Sequence, residues 1–197
     1  MAKAEGPRRR MSHDARHSQL LEEARQLIRE EGCDALTLAR VAERAGVAKP
    51  LVYQHFGTRA AVLVELYRRF EERQLAVLGE LLASAEDDLR SVAELIADAC
   101  VGCAVTEGEE LPGVVGALEG SPELRRFRQE ADGRFGDACL EALLPYARAG
   151  ALPAAVMPAI LGAIGGVARS VIVGECTPDE GREALREVIA ALVPREG

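Results

Sequence analysis

Tryptophan is absent from the 197 residues, aromatic side chains make up only 4%, and lysine occurs twice, at Lys3 and Lys49. With Ala, Leu, Arg and Glu dominant, that poverty in aromatics favours helix over sheet. Histidine is confined to His13, His17 and His55, which excludes a His-based catalytic triad in the C-terminal part. No G-x-S-x-G, Walker or dinucleotide fingerprint is present, and no catalytic residue is assigned. A long apolar run is missing too. The uncharged stretch Ala151–Ala168 contains Pro153, Pro158, Gly162, Gly165 and Gly166, so it reads as a closely packed helix and not as a membrane span. The five cysteines (Cys33, Cys100, Cys103, Cys139, Cys176) are odd in number and scattered. The charged N-terminus precedes no apolar leader region, so reduced thiols in a cytoplasm are expected. Cys100 and Cys103 have C-x-x-C spacing without a second pair or a nearby histidine. Small apolar packing residues are the simpler reading, metal or redox chemistry the alternative. His13 and His17 lie i, i+4 but lack a third ligand in sequence. No metal and no cofactor is expected.

What is present is unevenly distributed. The formal net charge is −8, yet residues 1–59 carry 11 Lys/Arg against 8 Asp/Glu, and the remainder 13 against 24. A cationic end joined to an acidic body suggests a polyanion-binding segment attached to something else. Apolar spacing then predicts about nine helices and no strand. A basic tail, expected to be disordered, covers residues 1–11. Helix Ser12–Glu31 stops at Gly32; a two-turn helix capped by Thr37 ends at Gly46; a short helix over Lys49–Phe56 has Pro50 in its first turn. Thr58 caps a long helix to about Ser84. A helix from Asp87 or Asp88 runs to Cys103, with Glu107–Gly120 a loop holding a short helix. Further helices are expected after Ser121-Pro122, over Ala154–Gly174, and after the capping box Thr177-Pro178-Asp179-Glu180.

Two short helices separated by Ala45-Gly46-Val47 are a helix–turn–helix signature, the glycine permitting the tight reversal. The stretch Thr37-x-x-x-Val41-Ala42, Ala45-Gly46-Val47, Tyr53-x-His55-Phe56-x-Thr58-Arg59, then Leu63, resembles the TetR family of bacterial transcriptional regulators. The resemblance covers about a quarter of the chain. It implies an all-α fold: a three-helix DNA-binding domain over residues 12–59 and a C-terminal helical bundle, residues 60–197, for ligand binding and dimerisation. Ala48 stands where a capping serine is common, Arg59 where lysine is more usual, and Ala60 lacks an acidic residue often found there.

In such a domain the second helix of the motif enters the major groove N-terminus first, so its first turn meets base edges. That turn is Ala48-Lys49-Pro50-Leu51. Lys49 can donate to guanine O6/N7, and Pro50 and Leu51 can touch a thymine methyl. The resemblance implies that Tyr53 and His55 reach phosphates. Thr37, Thr58 and Arg59 stand where helix starts favour phosphate binding. Against these, Tyr53 could be a core aromatic, His55 a structural histidine and Lys49 a merely solvated side chain. The run Arg8–Arg10 could follow a minor groove or be only a solvated tail.

The expectation is a cytoplasmic repressor that binds palindromic double-stranded operator DNA as a homodimer and is released by a small-molecule effector. Helices Ala154–Gly174 and Pro178–Leu192 are expected to form the dimer interface. Effector candidates, chosen as aromatic or soft residues of the bundle, are Tyr67, Phe70, Cys100, Cys103, Phe127, Phe135 and Cys139. The rival readings are a helical protein-interaction module and a small helical enzyme with a basic N-terminal segment.

Overall fold

The computed structural model describes residues 11–111 and 113–194. The tail, Met11 apart, and Pro112 lie outside them. Among the described residues there are nine α-helices and no strand. They are α1 (His13–Glu31), α2 (Leu38–Arg44), α3 (Lys49–Phe56), α4 (Arg59–Leu82), α5 (Leu89–Glu110), α6 (Val114–Leu118), α7 (Pro122–Leu143), α8 (Val156–Ile172) and α9 (Pro178–Leu192).

The termini follow from local chemistry. Ser12, Thr37, Thr58, Asp88, Ser121 and Thr177 each accept a backbone N–H of the first turn that no helical carbonyl can reach. The capping box of α9 is complete: Glu180 accepts from the Thr177 amide while Thr177 accepts from that of Glu180. Ala48, without a side-chain acceptor, leaves α3 uncapped at its exposed start. Gly46, at φ +64°, makes the reversal between α2 and α3 in a region that side chains avoid.

Two expectations need correction. The fifth helix does not stop near Cys103 but continues to Glu110. Glycines at 102 and 108 lower helix propensity without breaking the ladder, and the face bearing Val101, Cys103 and Ala104 is buried against its neighbours. The eighth helix is shorter than Ala154–Gly174, beginning at Val156 after Pro153 and ending at Ile172 before Gly174 turns to φ +76°.

Burial divides into two cores. The first gathers Leu20, Leu21, Ala24, Leu27 and Ile28 of α1 with Val41, Ala42, Val52 and Phe56, and continues into Leu63, Leu66, Tyr67 and Phe70 of α4. It also takes in Leu111, Val114 and Leu118, three residues of the C-terminal part spaced along one face of α6 and its approach. Packing therefore runs across residue 59. Gly113, at φ +78°, starts α6 against the head; a Cβ there would lie 3.3 Å from that of Cys33. The second core is built around α5, which lies against α4, α8 and α9. Gly181 lets α9 close on α8: a Cβ there would sit 3.0 Å from Val167 and 3.1 Å from Val171. Helix α4 belongs to both cores, a rod about 36 Å long at 1.5 Å per residue.

Candidate functional site

The start of α3 faces solvent. Ala48, Lys49 and Pro50 are exposed, Leu51 is half-buried, and Tyr53, on the same short helix, is 53% exposed. Val52 and Phe56 supply the buried side that fixes α3 to the head. Tyr53 is thus no core aromatic, and its phenol stands on the accessible side of α3. Thr37 and Thr58 are exposed, their hydroxyls already accepting from the Arg40 and Ala61 amides at 3.2 and 3.1 Å.

Arg59 has another task. Its Nε donates to the carbonyl of Leu36 at 3.0 Å and its Nη2 to that of Cys33 at 2.9 Å. The side chain clamps the start of α4 to the segment between α1 and α2, so two of its donors are committed inside the head. Removing it leaves two carbonyls without these partners, and charged hydrogen bonds contribute ~1.5–3 kcal/mol each. For this half-buried group, Arg59→Ala should cost about 2–3 kcal/mol, lowering the melting temperature by ~4–12 °C. Arg59→Lys should recover only part of that, one ammonium replacing a fork. An unchanged melting curve with weakened DNA binding would instead make Arg59 a phosphate contact.

All three histidines converge beside α3. His17 Nδ1 lies 3.3 Å from His55 Nδ1, and His17 Nε2 lies 2.7 Å from Glu65 Oε1. The His13 and His55 ring centres are 4.3 Å apart. Burial, followed by the neighbouring His13 and His17, lowers the pKa of His55. The His55 ring is therefore engaged within the head at the end of α3. Sequence supplied only the His13/His17 spacing; the third histidine arrives through the fold. Among the described residues no group of three potential ligands is placed to hold a metal ion.

In the bundle, α4, α5, α7 and α8 line a partly open cavity of about 170 Å³. Of the seven candidates, Tyr67, Cys100 and Phe135 line it. Phe70 and Cys103 face a separate groove between α4 and α5. Phe127 packs edge-on against Tyr67, and Cys139 is fully buried core. The aromatic-or-soft criterion missed the polar wall: Glu71, Gln74, Glu107, Arg128 and Asp132. The only signal for them was a few charges on otherwise packed faces. Arg134 holds Glu71 by two hydrogen bonds of 2.7 and 2.5 Å. Asp132 accepts from the Tyr67 hydroxyl at 3.3 Å and faces Arg128 Nε at 3.4 Å.

Burial, opposed by Arg128 and helped by Asp132, raises the pKa of Glu107 from 4.5 to about 7. Between those values the folded protein keeps a proton that the unfolded chain has released, so stability falls as pH rises through the interval. Glu107→Gln should leave stability unchanged near pH 4.5 and increase it by on the order of 2–3 kcal/mol at pH 8. Denaturant titrations at both pH values test this; equal effects at the two would refute it.

An exposed helix–turn–helix head on a shared rod and an all-helical bundle define the class by fold: a helix–turn–helix domain joined to a helical bundle. Residues 20–70 match the model of the bacterial regulatory proteins of the tetR family, so this segment is similar to the DNA-binding domain of that family. A curated relative, the HTH-type transcriptional activator FasR of Mycolicibacterium smegmatis, is 31% identical over 92 residues, spanning 45% of this chain and 42% of that protein. The chain thus matches less than half the length of that relative. The fold extends further than the sequence likeness. The fatty acid degradation regulator FadR of Bacillus halodurans superposes with a TM-score of 0.73 at 18% identity, over 98% of this chain and 100% of that one. The multidrug binding protein EbrR, complexed with imidazole, does so with a TM-score of 0.71 at 21% identity, over 92% and 97%. Among the described residues no helix is long and apolar enough to cross a membrane.

Proposed function

We propose that the chain is a repressor that binds palindromic operator DNA as a homodimer and releases it when a small-molecule effector fills the bundle cavity. The observation that carries this reading is the exposed start of α3, where Lys49 and Pro50 project beside Tyr53 from an otherwise acidic molecule. Lys49 reads base edges; Tyr53, Thr37 and Thr58 contact the backbone. A single α3 reads too few base pairs, so two copies engage half-sites about 34 Å apart. The dimer surface is formed by α8 and α9. Only Val156 and Ile160 of the 17 residues of α8 are buried in the single chain, although its composition is almost wholly apolar. Coupling follows from α4, which lines the cavity through Tyr67, Glu71 and Gln74 and packs under α3 at its other end. By linkage, effector and operator weaken each other's binding by the same factor.

The test is equilibrium binding to a duplex selected from a random pool. The logarithm of the association constant should fall linearly with log salt, by about 0.9 per phosphate contact. A flat salt response, or a monomer in sedimentation at micromolar concentration, would overturn the proposal. Activation is a second reading, favoured by the description of FasR as an activator; a promoter reporter in cells lacking the protein separates the two signs.

A further inference from the structure

The cavity's charges are grouped by element. Helix α8 contributes Leu161, Ile164, Gly165 and Ala168 to the lining, all uncharged. Every titratable group comes from the other walls: Tyr67 and Glu71 from α4, Cys100 and Glu107 from α5, Arg128 and Asp132 from α7. Glu71 is neutralised by Arg134. Arg128 is already shared between Glu119 at 3.0 Å and Asp132 at 3.4 Å. Glu107 alone among these carboxylates has neither an ion pair nor a side-chain hydrogen bond with the described residues. The cavity therefore offers one uncommitted carboxyl group, and no uncommitted cation, beside an apolar wall. An anion would be brought against Glu107 and Asp132 with no uncommitted cation to receive it.

Resting on the reading of this cavity as the effector site, we propose that its ligand is a compact organic cation, an aryl-alkyl ammonium whose head group pairs with Glu107 while its ring lies on the α8 wall and Phe135. Size limits the class. A dry cavity of ~150 Å³ accommodates benzene, whereas drug-sized sites span ~300–1,000 Å³. One ring and a short chain fill the space available here. Pairing with a cation requires ionised Glu107, so the bound state gives up the proton that burial otherwise retains near neutrality.

Three probes of matched size test the charge class: phenethylammonium, phenethyl alcohol and phenylacetate, titrated into the full chain by NMR. The cation should bind at least ten-fold more tightly than either other probe at pH 8. Its affinity should fall by about ten-fold at pH 6, following the ionised fraction of a carboxyl titrating near 7; the alcohol should show no such fall. Glu107→Gln should abolish both the preference and the pH dependence while leaving alcohol binding intact. Tighter binding of phenylacetate or the alcohol to the wild type overturns the cation assignment alone. Cation binding that survives Glu107→Gln at full strength also overturns it. Saturable binding of none of the three overturns the reading of the cavity as an effector site, and with it this inference.

Discussion

Alanine in place of Lys49 should erase most discrimination between the operator and an unrelated duplex. A bidentate side-chain contact to a base is worth ~1–3 kcal/mol of selectivity, and a symmetric dimer makes it twice. A loss of ~2–6 kcal/mol follows, from about thirty-fold to more than 10⁴-fold in the affinity ratio. Tyr53→Phe, which removes only a hydroxyl from the exposed side of α3, should weaken all duplexes alike and leave the ratio unchanged. Competition gel shifts with specific and scrambled duplexes separate the two outcomes. Equal losses on both duplexes for Lys49→Ala would move that residue to the phosphate contacts, and no loss would remove α3 from the interface.

Leu118→Ala should produce the second large effect, and its location makes it diagnostic. Leu118 is 0% exposed and sits in the core of the head, although it is far from the head in sequence. Truncating a buried leucine costs ~2–5 kcal/mol, depending on how well the surroundings collapse. At ~2–4 °C per kcal/mol, the melting temperature should fall by roughly 4–20 °C. Hydrogen exchange should quicken in α1 and α2, while amides of α9 keep their protection. If protection is lost only within α6, the helix is a surface loop element and no part of the head's core.

Elements whose cause is local could be read directly. The caps Thr37, Thr58, Asp88, Ser121 and Thr177, the turn at Gly46 and the apolar spacing of α1 and α4 depend on neighbours within a turn or two, and the structure has them where the residues indicate. The end of α5 was misplaced because glycines at 102 and 108 carry a local signal, whereas the burial that outweighs them comes from other helices. At a helix start the charge of Arg59 suggests a phosphate, and the fold adds partners the sequence does not indicate, the carbonyls of Leu36 and Cys33, 23 and 26 residues away. His55 joins His17 across 38 residues, and Glu107 acquires its character from burial among other helices, opposed by Arg128 and helped by Asp132 on α7. The exposure of the start of α3 was legible because an outward-facing turn needs only to be left uncovered.

The seating of Leu111, Val114 and Leu118 in the head governs how this chain can be recombined with others of its fold. A chimaera cut at residue 59 would pair the first three helices with a foreign linker and expose apolar surface that these side chains now seal. Carrying Leu111, Val114 and Leu118 along, or choosing an acceptor with matching side chains there, is the condition for exchanging the C-terminal bundle on this head.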